Sequence, residues 1–301
     1  MTRTISLAAA VTLGVAAGWT SGAPLSEPRT EVAAATLRGE IVVVGGFTAG
    51  GSNSRRVDAY SPSRDAWRRL PDLPVAFDHA AAASSEGRVY VVGGYGADRR
   101  PLRAAFSFDG RVWRRLPSPP ESRAAAAAAA TSAGKVYVVG GRTDSGLALT
   151  TLVFDVRTRR WSKLSGTTPR EHLAATALGG RVYAVAGRRA GYDTNLSVVE
   201  VLDPTIRRWR TLPSVPSARG GTAATAIAGR IVSVGGEEPA GTIADVWAYD
   251  VRARRWSRLP DLPTPRHGLG AVALGGRIWT VAGGPRPGLT VSGAVESLPV
   301  P

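Results

Sequence analysis

The side chains best suited to chemistry in this sequence are three histidines and a recurrent set of arginines. His79 and His172 each stand fourteen residues before a doublet of small residues, and His267 stands fifteen before another. Imidazole exchanges protons near neutral pH and ligates metals. Three histidines at related offsets therefore raise the question of a metal site. The expectation is that no metal or other cofactor is bound, because the histidines belong to alternate repeats and stand too far apart for ligand bonds of about 2 Å.

The arginines follow a neighbouring register. Arg29, Arg170, Arg219 and Arg266 stand sixteen residues before their doublets, Arg123 stands one residue further back, and Phe77 fills the sixth slot. Two readings stay open. In one, these are repeat residues whose guanidinium groups bond backbone carbonyls between repeats. In the other, they ring a pocket for a carboxylate, phosphate or acidic sugar, since guanidinium grips planar oxyanions with two parallel bonds. Arg142 and Arg188 follow their doublets directly and depart from the repeat pattern, which makes them the better anion-binding candidates. Glu237 and Glu238 follow another doublet. With His79 and His172 they are the groups able to act as general acid or base. No catalytic motif joins them, so the catalytic residues are left unassigned.

These residues are positioned by the doublets themselves. They stand at Gly45-Gly46, Gly93-Gly94, Gly140-Gly141 and Gly235-Gly236, with degenerate copies at Ala186-Gly187 and Ala282-Gly283. The second members fall at 46, 94, 141, 187, 236 and 283, giving steps of 48, 47, 46, 49 and 47. Six copies at one period mean one supersecondary unit repeated six times. Before each doublet lies a short β-branched and aromatic run, such as Ile41 to Val44 or Val89 to Val92, entered through a glycine turn. After it comes a second run closing on Tyr60, Phe108, Phe154, Leu202, Tyr249 or Leu298. A tryptophan strand then follows, with Trp67, Trp113, Trp161, Trp209 and Trp256, in four repeats ended by Leu-Pro. An alternating segment leads back to the next glycine turn. Each unit therefore holds four short strands. The alanine run 124–130 would read as helix in isolation. In the repeat register it falls on an innermost strand, where small residues fit a crowded axis.

The chain has 301 residues, no cysteine and a net charge of +15. The absence of cysteine excludes disulfides, thiolate metal sites and cysteine nucleophiles. Only Lys135 and Lys163 are lysines, so the positive charge is almost wholly arginine. Pairs such as Arg68-Arg69, Arg114-Arg115, Arg159-Arg160, Arg207-Arg208 and Arg254-Arg255 flank the repeat tryptophans. Charge on an exposed edge strand blocks edge-to-edge pairing. The alternative is a basic rim for an anionic polymer. Because the charge is spread around the repeats rather than gathered on one face, no specific nucleic-acid partner is expected.

Residues 1–18 have the pattern of a secretory leader: Arg3, an apolar stretch from Ile5 to Ala17, and small residues Ala16 and Gly18 before the expected cut. The expected location is exported, in the periplasm, cell envelope or medium, with no membrane span. The remainder, residues 19–301, makes one domain. Its last repeat lacks an outer strand. Trp19 stands ten residues before Arg29, as Trp209 does before Arg219 and Trp256 before Arg266. Residues 19–28 are therefore expected to supply the missing strand and close a ring.

The Gly-Gly, aromatic-Asp, Trp pattern in units of about 47 residues resembles the kelch repeat. The resemblance covers nearly the whole chain. It implies an all-β fold, a six-bladed β-propeller with four antiparallel strands per blade, its last blade completed from the N-terminus. It also implies that the arginine-bearing turns and the loops after the doublets open on one face, around the channel mouth. The binding candidates on that face are Arg29, Arg123, Arg142, Arg170, Arg188, Arg219, Arg266, Glu237, His79 and His172. The copper chemistry of the kelch enzyme galactose oxidase needs a cysteine that this chain lacks. Kelch propellers host enzymes and binding modules alike. The first expectation is a monomeric module that holds a glycan, peptide or protein at the loop face. The alternative is a mutarotase or epimerase of an acidic sugar, like the exported bacterial six-bladed enzymes of that kind.

Overall fold

The computed structural model describes residues 18–300. The leader expected over residues 1–18 lies, but for its last residue, outside them. Six antiparallel four-stranded sheets form the blades of a closed ring. Blade 1 runs Ala33–Leu37, Glu40–Val44, Val57–Ser61 and Ala66–Leu70. Blades 2 to 5 repeat that order, starting at Ala81–Ser85, Ala127–Thr131, Ala174–Leu178 and Ala223–Ile227. Blade 6 takes Gly270–Leu274, Arg277–Val281 and Val295–Pro299 from the C-terminal end, and its outer strand is Thr20–Gly22. Thr20 pairs with Ser297 and Gly22 with Val295. The two ends of the chain thus share one blade. No helix among the described residues is long and apolar enough to cross a membrane.

Each strand's place follows from its side chains. The second strand of every blade is buried on both faces, because adjacent blades cover it from both sides, and it is apolar but for Ser233 and Thr280 past its first residue; Ile41, Val42, Val43 and Val44 have no exposure. The innermost strand alternates. Its channel-facing positions repeat a small residue, Ala34, Ala82, Ala128, Ala175, Ala224 and Ala271, which line the central channel. The alanine run accordingly ends in the strand Ala127–Thr131. The outer strand is exposed at its arginine pairs, and its tryptophan reaches back to the preceding blade. The indole N–H of Trp113 donates to Pro71 O, that of Trp161 to Pro117 O and that of Trp256 to Pro213 O, all at 2.8–2.9 Å. Trp19 makes the same bond to Pro260 O, Trp67 bonds Ala23 O instead, and the Trp209 indole has no partner among the described residues.

The doublets lock blade to blade. The amide of the second glycine donates to the carbonyl of the residue in the arginine register of the next blade: Gly46 to Phe77, Gly94 to Arg123, Gly141 to Arg170, Gly187 to Arg219, Gly236 to Arg266 and Gly283 to Arg29. The approach leaves no room beside the first glycine. A Cβ on Gly93, whose φ is +71°, would stand 2.1 Å from Arg123 O.

Candidate functional site

A second belt of backbone bonds runs around the mouth of the channel, at the position fourteen or fifteen residues before each doublet. His79 N donates to Glu31 O, Ala125 N to His79 O, His172 N to Ala125 O, Gly221 N to His172 O and Gly268 N to Gly221 O; Val32 N closes the belt on Gly268 O. All six belt residues have positive φ, from 50° at Ala125 to 63° at Gly221. Glycine adopts that conformation freely. For the other residues it costs about 1–2 kcal/mol each. Three of the six positions carry little or no side chain (Ala125, Gly221, Gly268). The space they leave is filled by Glu31, His79 and His172, and by His267 from the adjacent position.

These side chains converge. The Nε2 atoms of His79 and His172 lie 3.0 Å apart. His79 Nε2 is 3.2 Å from Glu31 Oε2, and His267 Nδ1 is 3.2 Å from Glu31 Oε1. This corrects the expectation that histidines of alternate blades stand too far apart to share a ligand. The belt is narrow, and the methyl group of Ala125 in the blade between does not separate the rings. A cavity of about 80 Å³ lies against them, walled by Val32, Leu173 and Leu269. Beyond it the channel widens to about 260 Å³ between alanine and threonine side chains.

Carboxylates and guanidinium groups surround this centre. His79 Nδ1 meets Asp78 Oδ1, and Arg99 donates to the other oxygen of Asp78 at 2.6 Å. His172 Nδ1 faces Glu171 Oε1 at 3.4 Å. Arg188 donates to Glu237 Oε1 at 2.7 Å. Gly288, in the last mouth loop, accepts from His267 Nε2 at 2.9 Å and directs its amide to Glu237 Oε2 at 3.3 Å. That loop thereby covers the blade 5 and 6 side of the mouth.

The electrostatics follow the contacts. Burial opposes charge on Glu31, but His79, with a hydrogen bond from His267, overcomes it and holds the carboxyl far below the usual range. Burial also opposes charge on His79; Glu31 and Asp78 outweigh it and raise the imidazole. His267 is raised against burial by Glu31. His172 moves the other way: burial lowers it, and His79 adds to the effect. Burial pushes the Tyr95 phenol up to about 12. Two imidazoles 3.0 Å apart are thus shifted in opposite directions.

The arginines divide into two groups. Arg29, Arg123, Arg170, Arg219 and Arg266 have no exposure at all. Their guanidinium groups turn into their own blades. Each meets a carboxylate: Asp58, Glu121, Glu200, Asp245 and Glu296 in that order. Arg29 and Arg219 also donate to Gly45 O and Gly235 O, and Arg170 to Ala186 O, the first member of each doublet. Burial lowers Arg29 to about 10, and Asp58 resists the shift. These five hold the scaffold: four bond backbone carbonyls, of their own blades rather than between blades, and Arg266 bonds Glu296 and Thr280 instead. They are closed to any ligand at the mouth. Arg142 and Arg188 do reach the mouth. The Arg142 side chain is 40% exposed and lies 3.5 Å from Glu171, while that of Arg188 is 9% exposed and closed onto Glu237. Glu237 is buried in that pair, and Glu238 is exposed.

Sequence reasoning missed Glu31, Glu171 and Asp78. The signal was available: Glu31 stands fourteen residues before its doublet, as His79 and His172 do, and Asp78 and Glu171 share the fifteen-residue offset of His267. The rim outside the belt is aromatic and cationic. Phe47 and Tyr95 flank the Arg99 guanidinium at 5.0 and 4.6 Å. The half-exposed Tyr192 ring stands 5.0 Å from that of Arg188, and Leu149 and Leu289 are exposed in neighbouring mouth loops. A larger cavity of about 450 Å³ opens between blades 3 and 4 at the opposite face. Its charged groups are engaged, Lys135 with Asp155 and Arg181 with Asp203.

Residues 19–187, more than half of the chain, match the model of the KLHDC2/KLHL20/DRC7 Kelch-repeats domain. Residues 169–216 and 218–263 match the Kelch motif. The chain is 35% identical to Kelch-like protein 35 of Mus musculus over 80 residues, 27% of this chain and 14% of that protein. It is 35% identical to the F-box/kelch-repeat protein SKIP30 of Arabidopsis thaliana over 75 residues, 25% of this chain and 21% of that protein. With human Kelch-like protein 33 the figures are 32% over 94 residues, 31% of this chain and 17% of that protein. The chain thus spans a small part of each relative it matches.

Proposed function

The chain belongs to the kelch-repeat family, and we propose that, as kelch propellers commonly do, it serves as a protein-interaction module, here one that holds an acidic peptide or protein loop against the channel mouth. The observation that carries this reading is the shape of the mouth. A pocket that engulfs a small molecule occupies about 300–1,000 Å³. The cavity at the belt holds about 80 Å³, too little for a sugar. Around it stand the residue types that anchor protein interfaces, arginine and tyrosine, as Arg99, Arg142, Tyr95 and Tyr192. The leader pattern over residues 1–18 favours an exported module working in the envelope or the medium. Glycan binding is the competing use of the same face.

The test is selection from a random-peptide display library against the purified propeller, followed by anisotropy titration of the selected peptides. Acidic sequences are expected. Their affinity should weaken about tenfold or more on Arg142→Ala or Tyr192→Ala, about 1.4 kcal/mol or more. A propeller that selects no peptide but gains several degrees of melting temperature with an acidic sugar would overturn this reading for the carbohydrate one.

A further inference from the structure

We propose that the belt at the channel mouth is a binding site for one divalent transition-metal ion, held by Glu31, His79 and His172. The inference is independent of what the loop face binds. It begins with the second nitrogen of each histidine. His79 Nδ1 is backed by Asp78 Oδ1, and His172 Nδ1 by Glu171 Oε1 at 3.4 Å. The Asp78 carboxylate fixes the His79 tautomer with the proton on Nδ1 and leaves Nε2 as a lone pair; at His172 the nearby Glu171 charge favours the same tautomer, although no hydrogen bond is made to Nδ1 among the described residues. Metal-ligating histidines are oriented in this way. Here both lone pairs then point at one another across 3.0 Å. Two lone pairs at that separation repel unless a positive centre lies between them. A proton satisfies the pair alone. A metal ion satisfies the pair and takes the Glu31 carboxylate, whose Oε2 is 3.2 Å from His79 Nε2.

The spacing suits an ion. Ligand bonds of about 2.0–2.1 Å in a tetrahedral set place donors about 3.3 Å apart. The donor atoms of Glu31, His79 and His172 all lie within 4.8 Å of one another. Two imidazoles and one carboxylate suit zinc or ferrous iron and leave coordination positions open. The backbone positions the three side chains. Glu31, His79 and His172 have φ of 51–52°, a conformation the same belt gives to glycine at Gly221 and Gly268. The ring of backbone bonds imposes the same φ on Ala125, so the conformation serves to aim the three side chains at one point. The channel beneath offers a way in, through about 260 Å³ lined by small side chains.

Glu31 also faces His267 and Glu237, a second set of three donors. His267 gives its Nε2 to Gly288 O and contributes a single imidazole, so the two-histidine set is the stronger one.

The experiment uses the purified protein, stripped with a chelator and titrated with Co²⁺ while its visible d–d absorption is followed. Zn²⁺ competition then gives the zinc affinity. One equivalent of Co²⁺ with a tetrahedral or five-coordinate spectrum is expected. His79→Gly and His172→Gly put glycine where the belt already accommodates it, so both variants are expected to fold, which circular dichroism checks. Each should abolish the spectrum. Asp78→Asn, which alters the carboxylate bonded to His79 Nδ1, should weaken Zn²⁺ by about 10–100-fold. His267→Gln should leave the Co²⁺ spectrum in place. The proposal is overturned if the protein binds no Co²⁺ beyond the His79→Gly, His172→Gly double variant. It is overturned as well if His267→Gln removes the spectrum while His172→Gly keeps it.

Discussion

The arginine register and the histidine register lie two residues apart in every repeat, and the fold uses them in opposite ways. The arginines recur in five blades of six and are fully buried, each against a carboxylate. The belt beside them changes from blade to blade: Glu31, His79, Ala125, His172, Gly221, Gly268. Its backbone is as uniform as the arginine ring, with six residues in one conformation and a continuous ring of hydrogen bonds. Only its side chains vary. Repetition of a charged side chain here marks scaffold. Variation of side chains on a uniform, strained backbone marks the place where chemistry is hung.

The largest difference between the two registers should appear on truncation. Arg266→Ala leaves Glu296 buried without its partner, and breaking a buried pair in this way costs about 3–5 kcal/mol. His172→Gly relieves a positive-φ histidine and should change stability by about 1 kcal/mol or less, in either direction. Denaturant midpoints of the two variants measure the contrast. Equal losses would show that the belt side chains are structural and the distinction false.

A smaller effect separates the registers by pH. Burial pushes the Glu200 carboxyl up, but Thr167 and Arg170 hold it below its ordinary value of 4.5. A depressed carboxylate contributes stability above its unfolded value and loses it as pH falls through its folded value. The denaturant midpoint should therefore begin to fall below about pH 4.5 and continue downward, and Glu200→Gln should flatten part of that fall. A parallel slope in the variant would remove Glu200 from the account. The smallest effect belongs to the outer strands. Arg68 and Glu40 pair at the surface, with the Arg68 side chain 49% exposed, and Arg68→Ala should cost about 0–1 kcal/mol. A loss as large as that of Arg266→Ala would mean that exposed and buried arginines are not distinct classes.

Much of the molecule was legible in the primary structure, for a physical reason. A repeat whose units pack only on their neighbours imposes the same local demands six times, so each demand appears as a period. The second strand must be buried on both faces, the channel-facing positions must be small, and the doublet must admit another backbone within contact distance. Trp19 could be placed in the last blade because it keeps the spacing of Trp209 and Trp256, and it makes the bond that Trp256 makes. The fate of the arginines was not legible. Three partners keep nearly one spacing, Asp58 at 29 residues on and Glu200 and Glu296 at 30, while Asp245 is 26 on and Glu121 is two back. A spacing that holds in three blades and fails in two does not identify the pairs or say which charges are buried.

Taken alone, the order of residues determined the blade count, the strand order, the closure of the ring and the offsets at which charged side chains recur. Those features depend on local pattern and on contacts between successive units. Tertiary structure decided which charges are buried and which meet. His79 and His172 are 93 residues apart, and no local rule joins them. They touch because six blades around a narrow axis bring alternate belt positions within reach, and because Ala125 leaves the space between them open.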